Sequence, residues 1–157
     1  MARQTFKIEG LRQCDRALAE LPKAVARNVV IRVLTEQGKP IERAGAALAP
    51  RLTGHLADSY TTTTKLSRRQ KNLNDRESDV EVYIGPGPAP ESVQTEFGNA
   101  HQAAEPHLRP AFDGNVMQVL NGITEAFAAE IEKARARLAK QADGLIARIR
   151  AGRNAAG

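Results

Sequence analysis

Apolar residues at Ala26, Val30, Val33, Ile41, Ala44 and Leu48 recur at the three- and four-residue steps of one helical face, predicting a long, half-buried helix over residues 22–49. Pro22 suits a first helical turn, and Ala49-Pro50 closes the segment because a residue before proline is pushed out of the α region. Gly38 and Pro40 remove helix propensity and one backbone hydrogen bond, which predicts a kink and a helix able to wrap a small sheet. Before it, Thr5 to Glu9 alternates apolar and polar residues ahead of Gly10, as a short strand does, and Leu11, Cys14, Leu18 and Leu21 make a short amphipathic helix.

Downstream, Ala49-Pro50-Arg51-Leu52-Thr53-Gly54 reads as an elbow, and the threonine-rich run over residues 56–64 as a strand with one solvated face. Val80, Val82 and Ile84 alternate with Glu81 and Tyr83, giving a second strand, antiparallel to the first. Residues 65–79 between them have almost nothing apolar to bury and are expected to be a mobile hairpin tip. Gly85-Pro86-Gly87-Pro88-Ala89-Pro90 is a rigid turn without phosphate-loop spacing. Residues 91–97 predict a short helix stopped by Gly98-Asn99.

The second long pattern is the most regular. Val116, Leu120, Ile123, Phe127, Ile131, Ala134, Leu138, Ala142, Leu145 and Ile149 hold one face, with Asp113 in the first turn or at the cap. Unbroken to Arg150, such a helix extends roughly 50 Å, more than a domain of this size covers. A break near Gly144 and disorder over 152–157 are expected. The fold class is therefore α+β: a small antiparallel sheet packed by a long kinked helix, with residues 1–130 as the domain and 131–157 as a basic helical extension.

Composition narrows the functions. With 157 residues, no tryptophan and 4% aromatic content, the core is thin and aliphatic, which favours burial of further apolar surface against other copies of the chain. A single cysteine, Cys14, and no leader pattern imply a reducing cytoplasm, and no apolar run reaches the roughly 20 residues of a membrane span. Net charge is +5, drawn in part from Arg68, Arg69, Lys71 and Arg76 in the hairpin tip and from the basic residues after 133. Those two groups could track phosphates, so the alternative function is a small basic DNA-binding protein, although aromatic stacking residues are missing.

His101 with Glu96, Glu105 and His107 lacks the spacing of a ligand motif, and no nucleophile–base constellation or paired carboxylates occur. No catalytic, cofactor-binding or metal residues are expected, and the chain is not expected to be an enzyme.

The order of the signals carries a resemblance. A helix rich in Ala and Val ends in Ala49-Pro50-Arg51-Leu52-Thr53-Gly54-His55-Leu56; Val82-Tyr83-Ile84-Gly85-Pro86 follows, then Glu96-Phe97-Gly98-Asn99, then Pro106-His107-Leu108-Arg109-Pro110-Ala111-Phe112 before a long helix. Over residues 11–134 this resembles the gp-ten-like tail-component family of tailed bacteriophages and prophages. The motif positions are Pro50, Thr53, Gly54, Gly85, Glu96, Phe97, Gly98, Pro106, Leu108, Arg109, Pro110 and Phe112. The chain departs from the family pattern in having Val93-Gln94-Thr95 where an aromatic often precedes Glu-Phe-Gly, and in its long basic extension.

The resemblance implies a small α+β structural protein of the virion neck and tail, assembled in the host cytoplasm. It would form a homo-oligomeric ring at the head-proximal end of the tail, completing the tail and joining it to the head connector, with the tail tube and connector as neighbours and DNA in the lumen. Two packing expectations follow. Leu108 and Phe112 should be buried, with Arg51 and Arg109 exposed or paired, where the elbow and the 106–112 segment meet at the end of the sheet. The basic tip with Arg68, Arg69, Lys71 and Arg76 should reach a neighbouring subunit or the lumen, and the stripe of Ile131, Leu138, Leu145 and Ile149 should be buried against another subunit or a neck neighbour.

Overall fold

A computed structural model describes the backbone of residues 11–155; the expected strand at Thr5 to Glu9 lies outside the described residues. In chain order the elements are α1 (Leu11–Ala19), α2 (Lys23–Leu48), α3 (His55–Asp58), β1 (Tyr60–Thr63), α4 (Arg68–Leu73), β2 (Tyr83–Pro86), α5 (Glu91–Phe97) and α6 (Leu108–Ala155). The fold is α+β, as the patterns predict.

Pro22 is the residue just before α2, its carbonyl accepting from Val25 and Ala26 N–H, and Ala49 turns extended (φ −62, ψ 135) ahead of Pro50. The helix runs without interruption through Pro40. Its buried residues are Val29, Val33, Gly38, Ile41 and Gly45; Val33 and Ile41 of the expected face are buried and Ala26, Val30 and Ala44 pack half-buried on the core, but Leu48 is 52% exposed and two glycines join the inward face. The reason is the sheet. A Cβ on Gly38 would stand 2.8 Å from Thr62 Cγ2, and one on Gly45 would stand 2.6 Å from Tyr60 Cζ. Both glycines let β1 lie directly on the helix backbone, which larger side chains would prevent.

The two strands pair antiparallel, Tyr60 opposite Pro86 and Thr63 opposite Tyr83. Both differ in extent from expectation. Leu56 belongs to α3 and is buried, because the left-handed Gly54 (φ 79) starts a helical turn that Ser59 Oγ closes on the Leu56 carbonyl at 2.7 Å. Residues 80–82 carry no strand pairing.

The segment expected to be a mobile tip contains α4. Ser67 Oγ accepts from Gln70 N–H at 3.3 Å and Gln70 Oε1 accepts from Ser67 N–H at 3.0 Å, a reciprocal cap. Beyond it, Glu81 Oε1 accepts from Glu77 N–H (2.7 Å) and Ser78 N–H (3.3 Å), and Arg76 Nε donates to the Ser78 carbonyl at 2.8 Å. Local polar bonds replace apolar burial here, and residues 71–79 remain exposed.

α6 has 48 residues, about 70 Å at the usual rise. It begins at Leu108, earlier than expected, leaving Asp113 inside the helix; it continues through Gly144 and as far as Ala155, so the expected break and the expected disorder over 152–155 are both corrected. Nothing approaches within 4 Å of a Cβ at Gly144, so the position costs propensity but has no packing reason to bend.

α2 and α6 lie antiparallel. At one end Val29 and Val33 pack with Phe127, Ile131 and Ala134, joined by Cys14 and Leu21; at the other, Ile41 packs with Ala111 and Val119. Arg32–Glu130 (2.5 Å) and Arg135–Glu20 (2.6 Å) bridge the rim of the first cluster. Ile131 is 3% exposed and Ala134 4%, so the chain's own core crosses the expected 130/131 boundary and reaches Leu138, which is half-buried.

Candidate assembly surface

The family-like motifs meet at the first turn of α6. A helix start leaves its first N–H groups without intrahelical partners. Here Glu96, from α5, supplies the acceptors: Oε2 takes His107 N–H at 2.8 Å and Leu108 N–H at 2.9 Å, and Oε1 takes Arg109 N–H at 3.0 Å. The next residue, Pro110, has no N–H to satisfy, and Ala111 N–H makes the first helical bond to the His107 carbonyl at 3.3 Å. One carboxylate and one proline thus account for the whole first turn, and the charge also suits the positive end of the helix dipole. Burial by itself would raise the Glu96 pKa, but the three backbone donors together with the nearby His107 outweigh it and hold the carboxyl below its usual range.

The chain between Glu96 and His107 is folded so that this contact can form. Gly98 takes φ 73 at the end of α5, where a Cβ would stand 2.8 Å from Ala104 N and 2.9 Å from the Gln102 carbonyl. Asn99 and Gln102 pair across the turn, and Glu105 N–H donates to the Thr95 carbonyl at 2.8 Å, running the return strand of the loop back along α5. A side chain at Gly98 would obstruct that return.

Beneath the cap lies a buried polar pair. Tyr60 OH and His107 Nδ1 are hydrogen-bonded, Glu96 Oε2 stands 3.6 Å from the same nitrogen, and His107 is 1% exposed with Nε2 unpartnered among the described residues. Burial and then the charge of Glu96 push the Tyr60 phenol up to about 12, so it stays protonated at neutral pH. Around the pair, Leu108 packs on the cluster of Ala49, Leu56, Tyr60 and Ala89, which brings the end of α2, α3 and the start of α6 together, while Arg51, Leu52 and Thr53 of the elbow itself stay exposed. Thr53 Oγ1 accepts from His55 N–H at 3.4 Å, and His55 Nδ1 lies 3.1 Å from Glu91 Oε1, linking the elbow to α5. Gly85 brings β2 against Leu108, whose Cδ2 would be 3.7 Å from a Cβ there.

Other expected positions fall differently. Leu108 is only half-buried, and Phe112 is 47% exposed, because α6 starts early enough to turn Ala111 inward and Phe112 outward. Phe97 is 70% exposed and Val93 63%. These two side chains with Phe112, Val82, Ile84 and Leu108 line an apolar groove of about 600 Å³ between β2, α5 and the start of α6. Arg51, Pro106 and Arg109 are exposed, and Pro50 is half-buried.

Of the stripe on α6, Ile131 is covered by the chain's own core and is removed from the interface set, Leu138 is half-covered, and Leu145 and Ile149 are 59% and 60% exposed. The basic tip is exposed at Arg68, Arg69, Lys71 and Arg76. Lys71 and Arg76 join Arg27 and Lys65 on a second groove of about 670 Å³, which Asp79 and Glu81 also line. The Tyr83 ring on that groove is tied through its hydroxyl to Glu81.

The four residues of the ligand cluster are occupied elsewhere or apart: Glu96 on α6, His107 on Tyr60, His101 on the surface with its backbone N–H on Asn99 Oδ1, and Glu105 exposed. Among the described residues, no group of three or more His, Cys, Asp or Glu is placed to hold a metal ion, and no helix is long and apolar enough to cross a membrane. Tyr60 carries no signal in the sequence beyond a strand-forming aromatic, and the link of Glu96 to residues 107–109 has none at all, since it spans a turn of unpredictable path. No protein-family profile, curated protein or solved structure matches the chain.

Proposed function

We propose that the chain is a structural protein of a bacteriophage neck, forming a ring at the head-proximal end of the tail that completes the tail and joins it to the head connector. The reading rests on one observation: motif residues that carry the resemblance converge on a single arrangement, with Glu96 capping residues 107–109, Gly98 allowing the turn, Gly85 approached by Leu108, and Leu108 packed on Ala49 and Leu56 on either side of the elbow. A capped start anchored by the buried His107 and Ala111 gives α6 a fixed direction, and its length carries apolar residues well beyond the core of its own chain. Such a molecule works by geometry: it presents surfaces at set distances, and binding to copies of itself and to its neighbours is its activity.

The second reading, a basic DNA-binding protein, draws on the groove of Arg27, Lys65, Lys71 and Arg76. Its two carboxylates and its occupied tyrosine hydroxyl make it a poorer track for a phosphate backbone. Nuclease-treated, purified full-length protein separates the two. Closed particles with rotational symmetry and a central opening, seen by electron microscopy in the absence of DNA, are expected from a ring protein. A chain that stays monomeric without DNA and binds duplex with steep salt dependence would overturn the ring and establish the alternative.

A further inference from the structure

Among the described residues, two apolar surfaces have no partner, and both lie on or beside the same helix. The first is the groove of Val93, Phe97, Phe112, Val82, Ile84 and Leu108. The second is the stripe of Leu145, Ile146 and Ile149, which are 59%, 46% and 60% exposed. α6 is continuous from Leu108 to Ala155, so Phe112 and Leu145 stand about 50 Å apart along one rigid axis. The stripe cannot fold back into the groove of its own chain.

From this separation we infer that the groove of each subunit receives the α6 stripe of the next copy, head to tail. This rests on the ring reading and names the contact that builds it. The recognition is that of a helix laid into an apolar cleft, with Leu145, Ile146 and Ile149 presenting anchors at i, i+1 and i+4 to a cleft with room for several aliphatic side chains. Charge agrees with the pairing. Residues 91–113, which supply much of the groove, carry Glu91, Glu96, Glu105 and Asp113 against the single Arg109, whereas Arg137, Lys140 and Arg148 accompany the stripe against Asp143. Of the four carboxylates Glu96 is spent on the cap and Asp113 lines the groove, so Arg137 and Arg148, which fall on one border of the stripe by helical periodicity, have Asp113 as their acidic partner there. Two different patches in contact make a heterologous interface, which closes into a ring when the rotation between copies divides a full turn.

The test uses two full-length variants, both altered only at exposed positions. Val93→Gln with Phe97→Gln blanks the groove; Leu145→Gln with Ile149→Gln blanks the stripe with residues that keep helix propensity. Each variant alone is expected to be monomeric by native mass spectrometry at concentrations at least about tenfold above those at which the unaltered chain assembles, the loss expected of truncated hot spots. Mixed, they are expected to stop at a one-to-one dimer, because the mixture contains one intact groove and one intact stripe per pair. That dimer also certifies that both variants fold.

Assembly of either variant like the unaltered chain, or a mixture that stays monomeric, overturns the inference while leaving the ring intact. An unaltered chain that stays monomeric overturns the inference and the ring together. If the chains assemble as inferred but loss of the gene leaves heads and tails joined, the contact stands and the neck reading falls.

Discussion

Removing the Glu96 carboxylate should be the most damaging single change outside the apolar core. In Glu96→Ala, three backbone N–H groups at the start of α6 lose their acceptor at once. Hydrogen bonds to a charged group contribute about 1.5–3 kcal/mol each, but Arg109 is exposed and its N–H can be rehydrated, so the net cost is nearer to about 3 kcal/mol than to the sum. For a chain of this length that corresponds to a fall in Tm of about 6–12 °C. Glu96→Gln keeps one carbonyl acceptor and loses the charge, for about half the effect.

The acid limb separates the cap from a packing effect. The Glu96 pKa is held below its ordinary value in the folded chain, so its contribution is complete above the unfolded pKa of 4.5 and is lost as pH falls through the folded value. Denaturation curves followed by circular dichroism, at a concentration that keeps the chain monomeric, should therefore converge for Glu96→Gln and the unaltered protein as pH falls below about 4.5. A Glu96→Ala variant within about 1 kcal/mol of the unaltered chain at pH 7, or a Glu96→Gln deficit that persists unchanged into acid, would refute the cap as described.

Three further outcomes follow from the packing. Gly45→Ala places a methyl against the Tyr60 ring and should destabilise by about 1–3 kcal/mol despite the gain in helix propensity, whereas Gly144→Ala meets no atom within 4 Å and should stabilise by up to about 1 kcal/mol, both read from denaturation midpoints. Tyr60→Phe leaves His107 Nδ1 without its hydroxyl partner and should cost about 1–3 kcal/mol, measured the same way. In a Tyr83→Phe background the remaining phenol should ionise at about 12 by ultraviolet absorbance; since the folded pKa is the raised one, its contribution is present below the ordinary value of 10.0 and fades as pH rises from there.

What the sequence made legible is tied to periodicity. α1, α2 and α6 declare themselves because a three-and-four repeat of apolar residues needs no knowledge of the partner. The glycines on the inward face of α2 were less accessible: Gly38 reads as a weak point and Gly45 gives no signal, when their use is to let Thr62 and Tyr60 approach. The start of α6 was written in Pro110, since proline fits a first turn, but Asp113 competed as a cap. The Ser67-to-Gln70 spacing of the α4 cap was also readable, and the surrounding charge obscured it. The Glu96 cap and the Tyr60–His107 pair were not readable. They depend on where a glycine-bent loop returns, and no local propensity encodes that.

The proposed neck function is tested most directly by what happens to particles when the chain is missing. On the proposed neck function, deleting the coding sequence from its genome and inducing particle production gives DNA-filled heads and separate tails in the electron microscope. Adding purified full-length protein to that extract should restore joined, infective particles. Normal numbers of joined particles without the chain, or an extract that the protein does not rescue, would contradict its assignment to the neck.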